Sequence, residues 1–199
     1  MLLTILIGTA IAQAPGTLDI PKASWPAIFF GEATDTQSIV GRTALSGLPN
    51  LQKKGVASGV TEIRIWEGFG LTYLEGYRFR KDSAGIRGWW IQPAQPGRKD
   101  WKAKNYLVEF KPPKMGWPEF WKSLEDLKIS TLPDFESLDG PKNSMLDGVS
   151  YVVEFAQPGR YRTYMYDNPF SQKGKMPELD NLRNIVRAIH AAFRSQTVR

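Results

Sequence analysis

The segment from Asp147 to Phe193 constrains the fold more than any other, because it encodes two strands, the turn between them and a helix to close over them. From Val149 to Phe155, the residues Val149, Tyr151, Val153 and Phe155 alternate with Ser150, Val152 and Glu154. Successive side chains of a strand point to opposite faces, so this period of two predicts a strand with one buried face. Pro158-Gly159 supplies turn chemistry, since Pro presets φ and Gly accepts a positive value. The return strand carries Tyr161, Thr163 and Met165 on one parity and Arg160, Arg162, Tyr164 and Tyr166 on the other.

The length of the turn decides which parity joins Val149, because a one-residue slip exchanges the faces. An odd loop gathers Val149, Tyr151, Val153, Phe155, Tyr161 and Met165 into the core. It leaves Ser150, Glu154, Arg160, Arg162, Tyr164 and Tyr166 outside. This sorting separates apolar from polar residues more cleanly and is the expected one. It predicts a basic, aromatic outer face.

Asn168-Pro169 ends the strand. A helix then starts near Pro177, with Glu178 and Asp180 in a first turn where acids oppose the helix dipole favourably. Leu179, Leu182, Ile185, Val186, Ile189 and Phe193 fall on one helical face, and Arg183, Arg187, His190 and Arg194 on another. The apolar stripe should pack on the hairpin. The basic stripe reads as a solvated face, His190 included.

Upstream, TEIRIWEGFG, LTYLEGYRFRKD and IRGWWIQ read as successive strands of an antiparallel meander, and YLVEF (106–110) as a fourth. Residues 93–103 form a polar loop. Trp117, Phe120, Trp121, Leu124 and Leu127 are spaced for a short helix that opens at Pro118. The string AQPGR occurs at 94–98 and again at 156–160, and is best explained by convergent turn chemistry. The order ββββαββα predicts an α+β fold: one antiparallel sheet with two helices packed on one face. Residues 13–58, broken by Pro15, Pro21, Pro26 and Pro49, read as an irregular arm with a turn or two of helix near Gln37–Ser46. Residues 59–199 read as a single domain.

The chain opens MLLTILIGTAIAQAPG. This apolar run is shorter than the roughly 20 residues a spanning helix needs. With Ala10-Ile11-Ala12 behind it, residues 1–12 read as a cleaved signal peptide, although no Lys or Arg precedes the run. The expectation is a periplasmic or secreted bacterial protein with no membrane span. A net charge of +6 would suggest nucleic acid in a cytoplasmic protein; export weighs against that partner and favours an anionic or glycan-bearing envelope component, or another protein.

Cysteine is absent and His190 is the only histidine. That excludes thiolate catalysis and Cys-ligated zinc, and no HExxH, EF-hand, Walker, GxGxxG or GxSxG pattern occurs. No cofactor and no metal are expected. Glu62, Glu67, Glu75, Glu109 and Glu154 all fall on strands, where cross-strand pairing with arginine is the ordinary role. Trp89 and Trp90 must point to opposite faces of their strand, one inward and one outward, unless both lie under the arm. The sequence therefore favours a non-enzymatic binding domain, with Arg160, Arg162, Tyr164, Tyr166 and Trp89 or Trp90 as the candidate ligand surface. The alternative is a hydrolase whose carboxylate pair includes Glu154 or Glu109.

Overall fold

The computed structural model describes residues 38–69, 72–92, 106–140, 142 and 148–197. The segment read as a signal peptide, the arm up to residue 37 and the first AQPGR string lie outside the described residues. The elements follow the order α1 (Ile39–Leu45), α2 (Leu51–Lys54), β1 (Thr61–Gly68), β2 (Glu75–Asp82), β3 (Gly85–Ile91), β4 (Leu107–Glu109), α3 (Trp117–Asp126), β5 (Ser150–Gln157), β6 (Arg160–Tyr166) and α4 (Pro177–Thr197). A single 3-10 turn, Phe135–Ser137, lies between α3 and β5. The fold is α+β. All six strands form one antiparallel sheet in the order β4-β3-β2-β1-β5-β6.

The register makes continuous rows across this sheet. On one face, Tyr164, Val153, Ile65, Tyr77, Trp90 and Val108 are successive partners. The row on one side of it runs Tyr166, Tyr151, Glu67, Glu75, and the row on the other side runs Arg162, Phe155, Ile63, Phe79, Gly88. The helices α3 and α4 close over this face, and their buried residues join its strands in one core cluster. Phe193 of α4 meets Phe79, Phe110, Phe120 and Trp117. Gly88 is small where Trp117 needs room: a Cβ there would stand 2.7 Å from the indole.

The hairpin of β5 and β6 corrects the expected sorting. Gln157 pairs with Arg160, so Pro158-Gly159 is a two-residue turn and an even loop. Tyr164 and Tyr166 therefore share the core face with Tyr151 and Val153, at 1% and 0% exposure. Tyr161 and Met165 go to the back. The apolar alternation misled because β5 is buried on both faces from Ser150 to Ala156.

The back of the sheet is covered as well. Ile39 of α1 packs with Trp66, Leu74, Ile91 and Val152, and Leu51 of α2 with Ala156 and Tyr161. Between these apolar groups lie buried charges. Glu62 accepts from Arg64 Nε at 2.8 Å and from Arg78 Nε and Nη2 at 2.9 and 2.8 Å. Burial alone would raise the Glu62 pKa, but the charges and hydrogen bonds of Arg64 and Arg78 outweigh it and hold it below the usual range. Glu154 does not pair with Arg160 or Arg162. It accepts from Trp66 Nε1 and Tyr161 Oη, each at 2.8 Å.

An exposed strand edge is a template for pairing with another chain. On β6 the Met165 amide donates to Asp134 Oδ2 at 2.9 Å, and Tyr164 Oη donates to the Ile129 carbonyl at 2.7 Å. The segment after α3 thus covers that edge. The opposite edge, β4, is only 3 residues long.

Candidate functional site

Two places on the helix-covered face of the sheet bring polar side chains together. The first is a cleft of about 210 Å³ where β1 and β5 meet the end of α3. Its apolar wall is Ile63, Phe155, Ile129 and Trp121, and its polar groups are Thr61, Lys81, Glu125, Ser130 and Gln157. The local sequence explains the shape. Lys128, at a φ of 63, turns the chain after α3, and the Ile129 amide closes that turn onto the Leu124 carbonyl at 3.1 Å. Trp121 is fixed by its Nε1, which donates to Glu125 Oε1 at 2.6 Å, and Lys81 Nζ lies 5.6 Å from its ring centroid. Gln157 Nε2 reaches Thr61 Oγ1 at 3.5 Å.

The predicted surface residues divide around this cleft. Arg160 stands over the ring of Phe155, a wall residue, at 5.9 Å. Arg162, register partner of Phe155, is buried and points Nη1 to the Ser130 carbonyl at 3.5 Å. Tyr164 and Tyr166 lie in the core. Trp90 is buried on the helix-covered face, whereas Trp89 is half-buried on the back between Arg78 at 4.6 Å and Arg87 at 5.5 Å. The basic half of the expected surface therefore touches residues of the cleft without lining it, and the aromatic half lies away from it. Trp121 and Lys81 take its place, and the sequence had assigned Trp121 only to a helix core.

The second place is the polar row at the opposite end of the same face. Glu67 and Glu75 are direct register partners on β1 and β2. As direct partners they project from the same face, so their carboxyls face one another. Trp90 Nε1 donates to Glu75 Oε2 at 2.7 Å, and Glu67 Oε2 lies 2.8 Å from His190 Nε2. The pKa of Glu75 is pushed up to about 7, first by burial and then by the hydrogen bond and charge of Glu67. Glu67 is held below the usual carboxylate range: burial opposes this, but the hydrogen bond from His190 and the further bond to Glu75 prevail. Burial and the two glutamates push the Tyr77 and Tyr151 hydroxyls upward. His190 is thus no solvated bystander. Arg183, from the same helical stripe, donates to the carbonyls of Pro169 and Gln172 at 2.8 and 2.6 Å and pins the loop after β6.

The carboxylates singled out for hydrolysis lie elsewhere. Glu154 and Glu109 sit in one row of the back face with Arg64, Arg78 and Trp89 between them. Four strand spacings of about 4.8 Å put them roughly 19 Å apart, so the two do not pair with one another. Among the described residues no group of three His, Asp or Glu side chains is arranged to hold a metal ion, and no helix is long and apolar enough to cross a membrane.

No protein-family model matches the chain, and neither a curated protein nor a solved structure is similar to it.

Proposed function

We propose that this chain is an exported, non-enzymatic binding domain whose ligand is an acidic sugar unit held in the cleft between β1, β5 and α3. The observation that carries this reading is an apolar, aromatic wall with cations beside it: Trp121, Phe155 and Ile63 line the cleft together with Lys81, and Arg160 lies over the ring of Phe155. A sugar ring has apolar C–H faces that suit an aromatic wall and hydroxyls that suit Thr61, Ser130 and Gln157. A carboxylate on the ring gives Lys81 a partner. The cleft, at about 210 Å³, is smaller than the roughly 300–1,000 Å³ of drug-sized sites, so it suits one ring rather than a long chain. Export rests on the apolar run at residues 1–12, which makes an anionic glycan of the cell envelope the natural source.

The test is calorimetric titration of the full chain with uronic-acid oligosaccharides and with their neutral counterparts, at low and high salt. The acidic series should bind and the neutral series should bind more weakly. Added salt should narrow the difference, because exposed charges are screened over about 8 Å at physiological strength. Lys81→Glu reverses an exposed charge at the cleft and should weaken the acidic ligand about tenfold, the equivalent of about 1.4 kcal/mol. Equal affinity in Lys81→Glu, or no preference for the acidic series, would overturn the proposal.

A further inference from the structure

We propose that Glu67, Glu75 and His190 form a proton-operated latch that fastens the last turns of α4 to the end of the sheet, closed while the two carboxyls share one proton and loosened when both ionise. The geometry points to a shared proton. Glu67 and Glu75 are direct partners on neighbouring strands and point to the same face, where two like charges repel. A carboxylate can only accept a hydrogen bond, so two facing carboxyls attract one another only when one of them keeps a proton. The remaining contacts join this pair to its surroundings. Trp90 Nε1 on β3 holds Glu75 at 2.7 Å, and His190 Nε2 on α4 meets Glu67 at 2.8 Å.

Among the described residues, the other titratable or charged groups facing the pair come from three elements. Tyr77 on β2 lies with its ring 5.9 Å from that of His190. Tyr151 on β5 is the register partner of Glu67. Arg194, one turn beyond His190 on α4, stands 4.0 Å from Glu67 Oε1 and 3.3 Å from His190 Nδ1. Arg194 is largely exposed, so water screens it and it compensates a second buried negative charge poorly.

The loss of that shared proton acts in one direction. The fold raises Glu75 from 4.5 to about 7. Its contribution is therefore fully present below the unfolded value and is lost as the pH rises through about 7. Glu67 itself is held low, and its contribution fades only in acid, outside this window. The segment that the latch controls is the end of α4, including Phe193, which packs against Trp117 and Phe120 of α3.

Three readouts on the full chain decide the matter. Hydrogen exchange of the α4 amides beyond His190, taken relative to those of β1, should speed up between pH about 4.5 and about 7. In Glu75→Gln, which keeps a donor but cannot ionise, that change should be lost. The denaturant midpoint should fall over the same pH range in the native chain and stay nearly level in Glu75→Gln. An infrared carbonyl band of a protonated carboxyl should be present near neutral pH and missing from the variant. Glu67→Gln removes the facing charge and should flatten the profile too, which keeps the test open if Glu75→Gln folds poorly. An α4 exchange ratio indifferent to pH, an unchanged slope in both variants, or a missing band in the native chain would overturn the proposal.

Discussion

Removing the Glu62 carboxylate should be among the most damaging single changes to this protein. The side chains of Glu62 and Arg64 are 1% and 0% exposed, and Glu62 Oε1 lies 2.7 Å from Arg64 Nη2. Arg78, also bonded to Glu62, keeps a route to water, with 11% of its side chain exposed. In Glu62→Ala, Arg64 stays buried without its ion-pair partner, and breaking a buried pair from one side costs about 3–5 kcal/mol. That is about a fifth or more of the roughly 5–15 kcal/mol that holds a typical domain together. For a chain of this size each kcal/mol moves the melting point by about 2–4 °C, so the expected loss is roughly 6–20 °C. The control is Glu62→Met with Arg64→Met, which removes both charges and fills the space with flexible apolar chains. Because the desolvation of a buried pair often equals its attraction, the double variant should be more stable than Glu62→Ala alone. Equilibrium urea unfolding followed by tryptophan fluorescence gives all three free energies. A double variant no more stable than Glu62→Ala, or a Glu62→Ala loss below about 1 kcal/mol, would refute the reasoning.

Two adjacent tyrosines give a paired test. Tyr164 Oη donates to the Ile129 carbonyl at 2.7 Å, whereas Tyr166 Oη is buried with no hydrogen-bond partner among the described residues. Urea unfolding should show Tyr164→Phe costing about 1–2 kcal/mol and Tyr166→Phe neutral or stabilising. Gly88→Ala drives a Cβ to 2.7 Å from Trp117 and 2.9 Å from Phe79; the overpacking should cost about 1–3 kcal/mol by the same measurement. Gly159→Ala puts a side chain at a φ of 71 with nothing nearby to clash, so thermal melts should show a loss of about 1–2 kcal/mol from backbone strain alone.

The elements of the fold were legible because each carries its own period. Alternation marks β1, β2, β5 and β6, and the helical spacing of Leu179 to Phe193 marks α4. The faces were not legible from alternation, since that cue works only where one face meets water, as in a half-exposed antiparallel sheet. Here α1 and α2 cover the back, so Val152 and Ala156 are buried as fully as Val153 and Phe155. Turn chemistry held the information instead, but in an uncommon form. Two-residue hairpins favour Asn-Gly or Gly-first turns, whereas this one places Pro158 before Gly159 at a φ of 71, the signature of a type II turn. The cleft was hidden for a different reason: its groups come from β1, β2, β5, α3 and the turn after α3, and no local motif joins them.

The carboxyl pair, by contrast, was within reach of a purely sequential reading. Glu67 and Glu75 flank the turn between β1 and β2 at matching distances, and residues equidistant from a hairpin turn face each other. Treating the strand glutamates as partners for arginine passed over this, because composition says only that arginine is abundant. Glu62 behaves as that treatment expects and Glu67 does not, although both point out of the same strand. Glu67 lies five positions beyond Glu62, an odd step, so they project from opposite faces. One face offers Arg64 and Arg78 to an acid; the other offers a second acid, a tryptophan N–H and a histidine. The chemistry of each glutamate is therefore set by its parity along β1, and parity is what decides whether it anchors an ion pair or holds a proton.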